Sequence, residues 1–130
     1  MTFVDTSSIL ALIDADDEHH EAAAAAFASL LPDEHLITHS YVVVETAALV
    51  HRRLGTGLVR RLLDDLVPLL ETVFVAEQLH ARAATAYLDT LRRRSSLVDH
   101  VSFELMRERG IRRALAFDRD FRSQGFELVG

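Results

Sequence analysis

Cysteine, tryptophan and lysine are all missing from this 130-residue chain, and the absence of cysteine and of lysine each removes a class of chemistry. Without cysteine there is no disulfide, no thiolate nucleophile and no cysteine zinc site. Without lysine there is no Schiff-base amine and no phosphate-loop lysine. Long apolar runs are absent too, none approaching the ~20 residues that cross a bilayer. The opening Met1-Thr2-Phe3-Val4-Asp5 carries no basic segment and meets a carboxylate at once, unlike a signal peptide. The expectation is therefore an intracellular, cytoplasmic enzyme or binding domain. At 49% hydrophobic and 26% charged residues the composition is that of a globular protein, not a disordered or fibrous one. The length fits a single domain over residues 1–130.

Positive charge is missing from the first part of the chain. All 14 cations are arginines and the first is Arg52, so residues 1–51 hold nine acids and no cation while residues 52–130 hold 14 arginines and 11 acids; −9 and +3 make up the net −6. Such a division can set metal-binding carboxylates beside a phosphate-binding rim, although solvated helix faces produce the same asymmetry.

The pattern along the chain alternates short apolar segments with helices. Strands are predicted at Thr2–Asp5, Leu36–Thr38, Thr72–Val75, Ala114–Phe117 and Glu127–Val129, short segments of which Thr72–Val75 is β-branched and aromatic. Helices are predicted over Ser8–Ile13, Glu18–Leu31, Ser40–Leu54 closed by Gly55, Thr56–Leu70, Glu77–Arg93, Leu97–Arg109 closed by Gly110, and a short turn at Asp120–Ser123. Strands separated by helices imply parallel pairing through right-handed crossovers, hence an α/β fold with a central sheet.

Against that frame four acids are out of place. Asp5 and Asp118 each follow a buried strand, at the sheet edge where open parallel sheets bind ligands; either could instead cap the following helix or turn. Glu45 lies mid-helix with Tyr41, Val42, Ala48 and Leu49 one turn away, an apolar setting that is costly for a carboxylate lacking a partner. Asp99 either caps a helix beginning at His100 or sits in its first turn, with Ser102 one turn further on. Oxygen-only ligands from separate elements suit Mg²⁺ or Mn²⁺, and such ions clamp the attacking water and leaving oxygen in phosphodiester hydrolysis. Crowded carboxylates also repel one another, favouring a cation or a retained proton.

The ordered set Val4-Asp5-Thr6-Ser7, Ser40 to Glu45, Leu97-Val98-Asp99 and Phe117-Asp118-Arg119-Asp120-Phe121 resembles the PIN domain family, and within it the VapC-type toxins of bacterial toxin–antitoxin pairs. The resemblance implies a Mg²⁺- or Mn²⁺-dependent endoribonuclease with Asp5, Glu45, Asp99 and Asp118 as its metal-holding, catalytic acids and Asp120 as a further candidate ligand. It also implies a five-stranded parallel sheet flanked by helices on both faces, Thr6 or Ser7 as a supporting polar residue, an RNA substrate, a homodimer and a small antitoxin partner. Two positions depart from the family pattern: Ala116 stands where many relatives have Thr, and His100 where a small residue is usual.

Two readings compete. A phosphoacceptor signalling domain has this length and sheet, but such domains resemble one another in a lysine that this chain lacks. A non-catalytic PIN-like protein-binding module would not need the intact acid set. Among lesser signals, His35 and His39 have zinc-like spacing but flank a strand without a third ligand, so they are expected at the surface or half-buried. His19-His20 reads as a solvated helix start. Arg52-Arg53, Arg60-Arg61 and Arg92-Arg93-Arg94 are candidate phosphate contacts, and Leu58, Leu62, Leu63 and Leu66 form an apolar side that suits core packing or a partner helix.

Overall fold

A computed structural model describes residues 1–130. Five short strands, β1 (Thr2–Val4), β2 (Leu36–His39), β3 (Glu71–Val73), β4 (Arg113–Leu115) and β5 (Glu127–Val129), pair in parallel in the order β3-β2-β1-β4-β5. Between them run α1 (Thr6–Ile13), α2 (His20–Leu30), α3 (Ser40–Leu54), α4 (Thr56–Arg61), α5 (Glu77–Asp89), α6 (Leu97–Arg109) and α7 (Asp120–Ser123). Right-handed crossovers put α1–α4 on one face and α5–α7 on the other. The strand order reverses between β1 and β4, so the crevice beyond their carboxyl ends is the switch point where such sheets take ligands.

Both sheet faces are covered, and β1 and β2 are buried along their whole length, as strands sandwiched between helix layers must be. Phe3 stacks on Phe121 at 6.0 Å, and Phe121 meets Phe103 edge-on at 5.0 Å. This aromatic column fastens β1 to α6 and α7, the elements that carry the later acids. No helix is long and apolar enough to cross a membrane.

Where the observed elements differ from the sequence-based boundaries, a hydrogen bond or a proline gives the reason. The third strand ends at Val73 because the Val75 N–H donates to Ser40 Oγ instead of to a neighbouring strand. The fourth ends at Leu115, and the Phe117 N–H goes to Ser7 Oγ. The single helix predicted over Thr56–Leu70 breaks up: α4 stops at Arg61, a π turn spans Leu62–Leu66, and a 3-10 turn follows over Val67–Leu69. Pro68 has no N–H to give and its ring clashes with the carbonyl four residues back, which an α-helix cannot accommodate. The second helix begins at His20, later than Glu18, because Asp17 accepts the His19 N–H in a local turn. The fifth helix ends at Asp89, where Thr90 turns its hydroxyl back onto the Ala86 carbonyl.

Candidate active site

The four acids reach one place from four elements. Asp5 is the residue after β1 and the N-cap of α1. Glu45 projects from the second turn of α3, Asp99 from the first turn of α6, and Asp118 from the loop after β4. A cavity of about 270 Å³ is lined by Asp5, Glu45, Asp99 and Asp118 together with Ser7 and Ser96. Asp120 comes closer than its standing as a further candidate suggests: carboxylate oxygens of Asp99, Asp118 and Asp120 lie within 4.8 Å of one another. Asp5 and Glu45 share the cavity but stand outside that tight trio.

Local hydrogen bonds aim these groups. Ser7 donates both its N–H (3.2 Å) and its hydroxyl (2.7 Å) to Asp5 Oδ2, and Ser7 Oγ accepts the Phe117 N–H at 3.0 Å. One serine thus ties the first acid to the loop bearing the fourth. Asp99 is in the first turn of its helix and does cap it, but reciprocally: the Asp99 N–H donates to Ser96 Oγ at 3.1 Å and the Ser96 N–H to Asp99 Oδ2 at 2.8 Å. Asp118 Oδ1 accepts the Asp120 N–H at 2.9 Å, and Asp120 Oδ2 accepts from Ser95 Oγ at 3.1 Å.

Charge balance is absent. None of Asp5, Glu45, Asp99, Asp118 and Asp120 takes part in a salt bridge. Burial raises the Asp5 carboxyl to about 7, against the Ser7 bonds that lower it, and the charges of Asp99 and Asp118 raise it further. Burial likewise raises Asp99 to about 6, helped by Asp118 and Glu45 and opposed by Ser96. Such a site takes up a proton or a cation. Thr6 Oγ1, in the same cavity, is buried without a hydrogen-bond partner, a place for a water or an added ligand. Oxygen donors alone, several of them anionic and unpaired, are the donor set of a hard divalent cation.

Glu45 reaches the site by a different route from the one its sequence neighbours suggest. Of Tyr41, Val42, Ala48 and Leu49 only Val42 is buried, and Ala48 is exposed. Glu45 is therefore half-buried at the rim of the apolar stripe Val42-Thr46-Val50, facing the cavity. The two departures from the family pattern take partners of their own. His100 turns toward α5, its Nε2 3.0 Å from Thr90 Oγ1, and Ala116 is buried in the core beside the Ser7–Phe117 bond.

The histidines need correction. His35 is exposed and pairs with Glu71 at 2.8 Å, but His39 is wholly buried, not at the surface or half-buried. Its Nδ1 accepts the Val42 N–H, capping α3, which leaves the proton on Nε2 to donate to Ser102 Oγ at 2.8 Å; Ser102 in turn donates to the Val98 carbonyl. Burial depresses its basicity to about 3, so it stays neutral. His39 thereby joins the helix of Glu45 to the helix of Asp99, a role signalled in sequence only by its place before the helix-opening Ser40. His39→Ala should lower stability by about 2–4 kcal/mol in a denaturant melt. His39→Asn, which can accept from Val42 but is too short for Ser102, should recover only part of it. The His19-His20 pair is not a simple solvated start either: His20 Nδ1 bonds the Ala11 carbonyl, and His19 stacks flat on Phe117 at 4.5 Å.

The chain matches the PIN domain family over residues 2–127. It is 36% identical to a protein of Mycobacterium tuberculosis named 23S rRNA-specific endonuclease VapC20, over 99% of this chain and 98% of that one. The crystal structure of VapC20, described as a Sarcin-Ricin loop cleaving toxin, superposes with a TM-score of 0.89 at 34% identity, covering 98% of this chain and 97% of the other. FitAcB from Neisseria gonorrhoeae shares the fold at a TM-score of 0.74 and 18% identity, over 100% and 97% of the two chains.

Proposed function

The chain belongs to the PIN domain family, and from that premise we propose that it is a metal-dependent endoribonuclease, the toxin of a type II toxin–antitoxin pair. The observation that supports this most is the meeting of Asp5, Glu45, Asp99 and Asp118 in one cavity, none of them held in a salt bridge. A pure protein-binding module has no use for that arrangement. The 36% identity along nearly the whole chain to a 23S rRNA-specific endonuclease supports ribosomal RNA as the substrate, and likeness to a structure described as a Sarcin-Ricin loop cleaving toxin supports that loop in particular.

In this reading Asp5, Glu45, Asp99 and Asp118, with Asp120 in reach, hold Mg²⁺ or Mn²⁺. The chemistry supplied on binding is polarisation of the scissile phosphate and a lowered pKa for a water molecule. The protein's own part is orientation and charge. Ser7 and Ser96 fix the carboxylates of Asp5 and Asp99, so little reorganisation is needed when the cation and phosphate arrive. Because Asp5 and Asp99 titrate near 7 and 6, occupancy of the site releases protons and strengthens with rising pH.

A small antitoxin partner belongs to the same proposal. Its surface on this chain is the apolar groove of about 460 Å³ lined by Leu12, Ile13, Leu58, Leu66 and Leu69; Leu62, by contrast, is spent in the core and Leu63 is exposed. Expression in a bacterial host should slow growth and cut 23S rRNA at one loop, with the ends read by primer extension. Asp5→Ala should do neither. Equal growth with intact 23S rRNA for both proteins would remove the toxin assignment.

A further inference from the structure

A second cavity, of about 410 Å³, adjoins the acid site through Asp118 and is lined by Arg94, Phe117, Arg119 and Asp120. A third, of about 290 Å³, continues from it through Arg94 and Asp120 and adds Arg93, Ser95 and Gln124. The three hollows share residues in sequence, so they form one path leading away from the acids. Arg93, Arg94 and Arg119 line it without a carboxylate partner, although Asp118 and Asp120 are close at hand.

The aromatic ring in this path is stacked on one face. Phe117 lies parallel to His19, with centroids 4.5 Å apart and planes 3° apart, and its backbone N–H is fixed by Ser7. A preoriented aromatic beside unpaired guanidinium groups is how proteins hold single-stranded nucleic acid: bases stack on the ring and phosphates meet the arginines. A volume of this size is ordinary for a small-molecule site.

We propose that the Phe117–Arg94–Arg119 cavity is a nucleotide subsite, binding one unpaired base of the RNA on Phe117 and the adjoining phosphate on Arg94 and Arg119, next to the scissile bond. The proposal rests on the endoribonuclease reading for the identity of the strand, and it adds the groove that sets which nucleotide can flank the cut. It requires an unstacked base, so loops and single strands enter and duplexes do not.

The chain has no tryptophan, so Phe117→Trp installs a lone fluorophore at the platform. Titrated in EDTA, where no cutting is needed, a tetra-adenylate oligoribonucleotide should quench its emission. The same backbone without bases should bind about fivefold more weakly or worse. Adding Arg94→Ala should lower the slope of log affinity against log salt by about 0.7, one phosphate contact on a single strand. As a second variant that keeps an apolar side chain without the ring, Phe117→Leu should raise KM for loop RNA about fivefold with kcat little changed. No quenching together with an unchanged KM overturns the subsite and leaves the nuclease reading intact. A fall in kcat at constant KM also overturns it, since Phe117 would then act only by placing Asp118. Quenching by the oligonucleotide in a protein that never cuts RNA with Mg²⁺ would instead uphold the subsite and remove the nuclease reading.

Discussion

Asp99→Asn should lower metal-dependent RNA cleavage about a hundredfold or more while leaving the metal-free protein at least as stable as wild type. The two effects separate because Asp99 does two jobs. As a cap it accepts the Ser96 N–H and donates its own N–H to Ser96 Oγ, and asparagine performs both nearly as well. As a carboxylate it is crowded, held up at about 6 by burial and by the charges of Asp118 and Glu45. Removing its charge relieves that repulsion in the empty site and takes an anionic ligand from the filled one. Paired melts should show a wild-type thermal shift with Mn²⁺ and a much smaller one for the variant, because only binding to the folded state stabilises it. Wild-type cleavage and a wild-type Mn²⁺ shift in the variant would reduce Asp99 to a cap.

The second large effect is an inversion with pH and metal at Asp5. Its folded pKa of about 7 lies above the ordinary 3.8. Between those values the folded protein holds a proton that the unfolded chain has lost, so metal-free stability falls as pH rises through the window. The slope approaches about 1.4 kcal/mol per pH unit for one group. The contribution is complete below about pH 4 and lost above about 7. His39 works the other way, since its folded value of about 3 lies below 6.5 and its contribution grows as pH rises. Comparison of wild type with Asp5→Asn cancels that background. In EDTA at pH 8 the variant should melt higher, by roughly 3 °C or more, with the Ser7 bonds accepted by the asparagine oxygen. At pH 5, where Asp5 is protonated, the two should coincide. With saturating Mn²⁺ at pH 8 the order should reverse. A difference that is constant from pH 5 to 8 would mean that Asp5 is not a strained, metal-seeking carboxylate.

The layout of the fold was legible because local pattern and tertiary outcome agree. Ser40 to Leu54 and Leu97 to Arg109 each end at a glycine, Gly55 and Gly110, and these helices stop where the glycines say. Strand ends were harder. Val75 and Phe117 have β-prone side chains, yet their N–H groups are claimed by Ser40 and Ser7, partners 35 and 110 residues away that no local pattern reveals. Pro68 reaches back to the Asp64 carbonyl, inside the π turn over Leu62–Leu66 that follows Arg61.

The acids divide in the same way. Asp5 and Asp118 were marked by their place after buried strands, and Asp99 by its place at the start of a helix; the Ser96 partner that caps with it was not read. Glu45 was marked for the wrong reason: its apolar neighbours in sequence are mostly not buried, and it is the rim position that turns it to the cavity. His39 gave almost no signal, because its partners Val42 and Ser102 lie in different helices. The stacking of His19 on Phe117 joins residues that nothing in the sequence pairs, and of the two departures His100 bonds Thr90 while Ala116 is buried in the core.

The central claim is that this carboxylate cluster cuts RNA only with a divalent cation in place. Purified protein incubated with bacterial ribosomes in Mg²⁺ should cut 23S rRNA once, into two discrete fragments whose new ends map to a single loop. In excess EDTA, on deproteinised RNA so that ribosome unfolding plays no part, cutting should cease and return when Mn²⁺ is restored. Undiminished cleavage in EDTA, at the same site and rate, would contradict the account.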